Sequence, residues 1–294
     1  MRRGSVKALS PAKINLILKI IGKRKDGYHN LATLFQMVDL CDVMTFQAEP
    51  SGKIRVVCSD KSIPQYKNLV YLSAKSLWRP GLPGVTIRVE KRIPSGAGLG
   101  GGSSNAATAL SALNRLWKRQ LSNNELRAIG AKLGADVPFF LYAPTAWATG
   151  IGDRLSHVPS GGRHYLLLVK PRLKVSTAHI YKLFDRQLTN RRRLDKISPR
   201  PKRVYLLNEM VGMLENDLEP VVERRHPVIG IIKRRLLAMG SLGAMVSGSG
   251  STVFGLFKNK RGLQSAYLEI SKGSWWCAAA RTVHSMEQLR TRIK

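Results

Sequence analysis

Apolar and polar positions alternate from Ser10 to Ile20. Ala12, Ile14, Leu16, Leu18 and Ile20 form one row, and Lys13, Asn15 and Lys19 face the other way. A period of two predicts a half-buried strand. Asp26-Gly27 follows as a hairpin-like turn. Further strands are expected at 43–46 and 54–57, and at 85–90, where Val85, Ile87 and Val89 alternate with Thr86, Arg88 and Glu90. The apolar run at 165–170 suits a buried strand, and 253–257 another. Helical spacing appears at Ala106, Leu110, Leu113 and Trp117, and over 69–77, 125–133, 204–214 and 227–239. Gly134 closes the helix at 125–133. Pro159-Ser160-Gly161-Gly162 is the best boundary, which divides the chain into 1–158 and 159–294. The class is α+β, in two lobes.

Composition narrows this picture. With 294 residues, 44% of them hydrophobic, the chain can build a sizeable core. No stretch approaches the roughly 18 apolar residues of a membrane span. Only nine residues precede the first strand, too few for a signal or transit peptide. Cys41, Cys58 and Cys277 are far apart, which suits a reducing, cytoplasmic setting and argues against a disulfide frame or zinc site. The six histidines show no metal-ligand spacing.

Charge raises a second question. The net charge is +31, divided as +14 in residues 1–150 and +17 in the rest. The densest patch runs from Arg191 to Arg203 and reads as an exposed loop. Nucleic-acid binding would explain such charge. No helix-turn-helix, aromatic RNA-binding pattern or zinc finger supports it, and steering of polyphosphate substrates accounts for it with less.

Candidate chemistry concentrates between Lys91 and Ala107. Five glycines fall between 96 and 102, followed by Ser103, Ser104 and a helix. Glycine admits positive φ and the close approach of a ligand. A helix N-terminus adds free N–H groups and a positive dipole end, so strand, glycine loop and helix together form a phosphate cradle. Ser103 or Ser104 is the expected N-cap. Gly96, Gly98 and Gly101 also spell G-x-G-x-x-G, a weak signal alone. The acid that a dinucleotide fold needs about 20 residues on is missing, as are a Walker G-K-[ST] and the protein-kinase signatures. A plain flexible turn is the remaining alternative.

Three ordered motifs make the chain resemble the GHMP small-molecule kinases. They are Pro11-Ala12-Lys13-Ile14-Asn15-Leu16, then Pro94-x-x-x-Gly98-Leu99-Gly100 running into Ser103-Ser104-Asn105-Ala106-Ala107, then Ser247-Gly248-Ser249-Gly250-Ser251. Further stretches look like the branch that phosphorylates a cytidine diphosphate-linked alcohol. These are Asp26-Gly27-Tyr28-His29, Thr33-Leu34-Phe35-Gln36, Gly134-Ala135-Asp136-Val137-Pro138 and Asn216-Asp217-Leu218-Glu219-Pro220. The resemblance runs from about residue 8 to 257, and the last thirty-odd residues add little to it.

The resemblance implies a two-lobed GHMP-kinase fold with the active site in the inter-domain cleft, a left-handed βαβ crossover, and phosphoryl transfer from ATP to an alcohol. Residues 1–158 would bind ATP. Backbone N–H groups of Pro94-Ser95-Gly96-Ala97-Gly98-Leu99-Gly100-Gly101-Gly102-Ser103-Ser104 would cradle its phosphates (proline excepted), and one serine hydroxyl would reach Mg²⁺. Asn68 and Lys91 match ATP-side positions. Asp136, which alone reads as a helix cap, matches the family's base. Lys13 matches the lysine beside it, and Asn15, on the same strand face, can also reach the substrate. Tyr28 and His29 match the cytosine-recognising positions. Tyr181 is a second stacking ring or, alternatively, a core residue. No acidic Mg²⁺ ligand can be assigned. A GHMP kinase acting on homoserine or mevalonate is the near alternative, and a basic nucleic-acid-binding protein the distant one.

Overall fold

The computed structural model describes residues 5–61, 63–188, 203 and 206–290. Two long strands dominate it. β1 (Ser5–Lys23) and β2 (His29–Glu49) pair antiparallel along their length, joined by a turn in which Gly27 takes φ +87°. β3 (Ile54–Cys58) and β4 (Gly84–Glu90) run parallel, connected through α1 (Leu69–Leu77). β4 pairs with the second half of β2, and β5 (Thr145–Gly150) with the first half. β6 (Arg154–His157) continues from β5. Three further helices belong to this lobe: α2 (Gly101–Leu116), α3 (Asn123–Leu133) and α4 (Val137–Phe140).

A second, four-stranded antiparallel sheet has the order β11–β7–β10–β9. Its strands are β7 (Tyr165–Lys170), β9 (Gly243–Val246), β10 (Val253–Phe257) and β11 (Trp276–Arg281). Its helices are α5 (Thr177–Leu188), α6 (Leu207–Gly212), α7 (Glu219–Arg225), α8 (Val228–Ala238) and α9 (Lys260–Ser271), and α10 (Glu287–Arg290) returns to the first lobe, where Leu289 joins its core. Between α6 and α7 the chain crosses back, and β8 (Glu215–Asn216) adds to the far edge of the first sheet, parallel to β1. Among the described residues no helix is long and apolar enough to cross a membrane. The basic segment 191–202 lies outside the described residues.

The lobes share a core. Ile14, Leu16 and Leu34 of the first sheet pack with Leu166, Leu168, Phe254 and Leu256 of the second. The alternate residues of β7, Leu167 and Val169, turn to a separate cluster under α8, with Ile229 and Ile232. A strand buried on both faces reads as a continuous apolar run, and 165–170 is one.

The single row expected along β1 does not survive. The pairing register shifts between Asn15 and Ile17, leaving Leu16 as an extra residue. A bulge of one residue reverses the alternation. Ala12, Ile14, Leu16 and Ile17 therefore enter the shared core, whereas Leu18 and Ile20 pack in the second lobe's cluster. Leu18 thus comes to the same cleft as Lys13 and Asn15. The C-terminal segment matters more to the fold than its sequence suggests. β11 forms an edge of the second sheet, and Gln36 Nε2 donates to the Val283 carbonyl at 2.8 Å.

Candidate active site

The glycine loop leaves β4 over a buried carboxylate. Asp42 is fully buried and accepts from Arg92 N at 2.7 Å, Ile93 N at 2.8 Å and Asn105 Nδ2 at 2.9 Å. Lys91 Nζ completes its shell as an ion pair. Four donors on one carboxylate satisfy its lone pairs and fix the loop's first residues relative to α2. Asp42 lies in no motif. Its only sequence signal is an acid set between Leu40-Cys41 and Val43-Met44.

The five glycines divide by what surrounds them. Gly96, Gly98 and Gly100 take φ of +62°, +77° and +67°, where a side chain is strained. A Cβ at Gly98 would strike the Ser247 carbonyl of the second glycine loop, and one at Gly100 would lie 2.9 Å from the Phe140 ring. At Gly101 it would lie 2.9 Å from Ile93. Gly96 and Gly102 face open space, with nothing nearer than Leu69 at 4.0 Å from a Cβ on Gly102. Three glycines thus serve packing, and two leave room beside the loop. The side chains of Ala97 and Leu99 enter the shared core, so only backbone there can meet a ligand. The expected serine cap is not formed. Gly100 is the N-cap of α2, and Ser104 lies buried within the first turn, accepting from Ser10 Oγ at 2.8 Å. The left-handed glycine already turns the chain, so the helix starts two residues before Ser103. Gly134 does end α3, but in extended conformation (φ 173°), not the left-handed one.

On one side of the loop lies a cavity of about 160 Å³, lined by Asn68, Lys91, Ser95, Gly96, Gly102 and Asn105 among others. Three of its polar side chains are already engaged. Asn68 Oδ1 caps α1 by accepting from Val70 N at 2.9 Å. Lys91 is held by Asp42 and by Asn105 Oδ1 at 3.1 Å. Ser95 Oγ donates to Asp60 at 2.6 Å. What remains uncommitted on this side is chiefly backbone, together with the N-terminus of a 16-residue helix.

On the other side a cleft of about 790 Å³ opens between the lobes. Lys13 stands in its floor, 5% exposed, with Nζ 2.7 Å from Asn15 Oδ1 and 3.5 Å from Asp136 Oδ2. The Phe35 ring lies 5.0 Å beneath the ammonium. Asn15 Nδ2 donates to Thr33 Oγ1 at 2.8 Å, and Thr33 Oγ1 to the Ile17 carbonyl at 2.6 Å. This chain of bonds leaves Lys13 one direction in which to act, toward Asp136. Asp136 occupies the N-cap position of α4, yet its side chain caps nothing and is about one-third exposed in the cleft.

Rings gather at the outer end. Tyr28 is 62% exposed, whereas His29 is buried beside Tyr181, their ring centroids 4.9 Å apart. Tyr181 belongs both to the second lobe's core and to the cleft wall. Burial pushes its hydroxyl pKa well up, and the Asp136 charge acts the same way. His29 Nε2 lies 2.6 Å from Asp185 Oδ1, a residue that sequence reading missed. Its signal was slight: Tyr181 and Asp185 are one helical turn apart on α5.

The second glycine loop closes the cleft from behind. Ser247 Oγ donates to the Gly98 carbonyl at 3.0 Å, and Thr252 N to the Ala97 carbonyl at 3.2 Å. Asn216 Nδ2 holds the Val246 and Gly248 carbonyls at 2.9 and 2.8 Å, which gives the Asn216-Asp217 motif a scaffolding role. Lys13, Asn15, Tyr28, His29, Asp136 and Tyr181 are thus gathered around the cleft, and Asn68, Lys91, Ser95, Gly96 and Gly102 around the smaller cavity. Pro94, Ser103 and Ser104 line neither. Among the described residues no three His, Cys, Asp or Glu side chains converge as a metal site.

Comparison with known proteins identifies the family. The family models for the GHMP kinases N terminal domain and the GHMP kinases C terminal match residues 68–144 and 201–273. The 4-diphosphocytidyl-2-C-methyl-D-erythritol kinase of Pelobacter propionicus is 44% identical over 273 residues, covering 92% of this chain and 96% of its own. That of Syntrophotalea carbinolica is 45% identical over 275 residues, with the same coverage. A crystal structure of 4-(cytidine 5'-diphospho)-2C-methyl-D-erythritol kinase superposes with a TM-score of 0.75 at 32% identity, covering 95% of this chain and all of that one. Homoserine kinase from Cytophaga hutchinsonii, at 19% identity and a TM-score of 0.69 over 97% and 96% of the two chains, shares the fold.

Proposed function

The chain belongs to the 4-diphosphocytidyl-2-C-methyl-D-erythritol kinases within the GHMP kinases, and from that premise we propose how its cleft works. The enzyme transfers the γ-phosphoryl group of ATP to the 2-hydroxyl of 4-diphosphocytidyl-2-C-methyl-D-erythritol, a step in non-mevalonate isoprenoid precursor synthesis. Residues 1–158 carry the nucleotide, and residues 159–294 close the substrate cleft with α5 and the second glycine loop.

Phosphoryl transfer is mostly positioning and neutralisation of charge. Backbone N–H groups at Gly96 and Gly102, with the α2 N-terminus, receive the ATP phosphates from the small-cavity side. Asp136 accepts the proton of the attacking hydroxyl from the cleft side. Lys13, 3.5 Å from Asp136 Oδ2, offsets charge as the bond forms. Asn15 and Thr33 hold the lysine in place. Bound with the triphosphate, Mg²⁺ would supply charge neutralisation at its oxygens, and Asp136 is a hard oxygen donor that would suit such an ion. Tyr28 and Tyr181 flank the cytosine, and His29 bonds its edge. The basic surface raises the local concentration of both anionic substrates.

One observation carries the reading. An exposed carboxylate that caps nothing faces a buried lysine at 3.5 Å, beside two interlocked glycine loops. The test is ADP release from ATP and Mg²⁺ with a panel of alcohols. The diphosphocytidyl substrate should turn over well, and homoserine and mevalonate poorly. Equal turnover of either would sink the assignment.

A further inference from the structure

His29 is held through one nitrogen only. Nε2 lies 2.6 Å from Asp185 Oδ1, and among the described residues Nδ1 has no hydrogen-bond partner. The second oxygen of Asp185 accepts from Lys23 Nζ at 2.8 Å. Burial pushes the Asp185 carboxyl up, but the bonds from Lys23 and His29 outweigh it and hold the group below its usual range. A carboxylate in that state has no proton to give. Nε2 must therefore carry the hydrogen toward Asp185, and Nδ1 is the ring nitrogen left for a ligand; with a single proton on the ring it is a lone-pair acceptor. The ring cannot turn freely to escape this. Tyr181 packs against it at 4.9 Å with a tilt of 32°, and His29 is buried in the cleft wall.

We propose that Asp185 is a positioning residue that sets base selectivity. By holding the His29 proton on Nε2 it presents Nδ1 as an acceptor. Such an acceptor suits the exocyclic amine of a 4-aminopyrimidine and opposes the 4-oxo oxygen of uracil. Stacking on Tyr28 or Tyr181 tolerates any base. A buried acceptor left facing another acceptor is penalised far more. The inference rests on the cytidine-substrate reading above and names the group that enforces it. Lys23, on β1, serves the same end by keeping the carboxylate charged.

The experiment compares kcat/KM for the cytidine substrate and its uridine analogue in the wild type, Asp185→Ala and Asp185→Asn. ¹⁵N NMR of the histidine rings is recorded in parallel. The wild type should prefer cytidine at least about tenfold, and Asp185→Ala should narrow the preference about tenfold without changing KM for ATP. Asp185→Asn, whose Oδ1 can still accept from Nε2–H, should keep part of the preference. It is also the isosteric variant that decides the matter if the alanine variant does not fold. In the wild type the His29 resonances should show Nε2 protonated and Nδ1 bare. A preference in Asp185→Ala within twofold of wild type would overturn the inference. So would an equal loss toward both substrates, or a wild-type ring that carries a proton on Nδ1, alone or together with Nε2. A wild type without any preference would instead sink the substrate reading, and the NMR, which needs no substrate, would still decide the Asp185 contact.

Discussion

The two sides of the glycine loop solve opposite problems. On the small-cavity side the polar side chains are spent on structure. Asn68 caps α1, Lys91 neutralises buried Asp42, and Ser95 bonds Asp60. Open glycines and a helix N-terminus are left uncommitted there, where the proposed reading places the polyphosphate. On the cleft side polar side chains reach the cavity beside the glycines, each oriented by the next: Thr33, Asn15, Lys13, Asp136. The difference follows from the ligands. A phosphate presents the same oxygens in every direction, so repeated N–H groups suffice. A proton in transfer needs one base at one place with one charge state. Side chains near a site therefore divide into those that hold the scaffold and those that act, and proximity to the loop does not separate them.

Substitutions can break or sharpen that division. The largest effect is expected at Asp136→Asn, which keeps shape and loses the base. Turnover should fall by about 10²- to 10⁴-fold, while calorimetry finds ATP affinity nearly unchanged. A variant with near-normal turnover would leave the cleft side without its acting residue.

Asp42→Ala tests the scaffold side. It strands the Lys91 charge and leaves two backbone N–H groups and an amide without their acceptor. Breaking such a buried pair costs about 3–5 kcal/mol, read as a drop in urea unfolding free energy. If stability were intact and only ATP affinity fell, Asp42 and Lys91 would belong with the ligand.

Paired glycine variants come next. Gly100→Val forces a β-branched residue to φ +67° against Phe140, which should cost about 1–3 kcal/mol of stability. Gly102→Val has no such strain and meets only Leu69. It should keep the melting temperature and weaken ATP binding, because its side chain fills the open approach. Unchanged ATP affinity in Gly102→Val would remove the cradle from this part of the loop.

Tyr28→Ala gives the smallest change to the molecule itself, since the ring is exposed. It should raise KM for the cytidine substrate by the loss of one stacking face, about 1–3 kcal/mol, with ATP affinity and melting temperature preserved. A wild-type KM would make Tyr28 a turn residue only.

Much of this molecule is local and was legible as such. The alternation at 85–90, the helices at 69–77 and 125–133, the buried strand at 165–170 and the loop-then-helix order depend on neighbours within one or two turns, and all are present. Lys13, Asn15, Tyr28, His29, Asp136 and Tyr181 were named from motifs and share one cleft. The serine cap was a local inference that failed because glycine had already turned the chain at Gly100. Asp42 and Asp185 were missed because an acid next to ordinary residues carries no mark of what it will meet.

Period, turn chemistry and backbone freedom are properties of short segments, so the sequence by itself determined the type of most elements, the glycine loop that opens a helix, and the family. Pairing between distant segments is another matter. The extra residue at Leu16 has no compositional sign, yet it moves Leu18 from the shared core to the cleft. Gln36 finds Val283, His29 finds Asp185 and Asp42 finds Arg92 across 247, 156 and 50 positions. Hydrogen-bond partners and burial are set only when the strands have chosen their register and the two sheets have closed on a common core. Only the tertiary structure could therefore decide which polar residues act and which hold the fold.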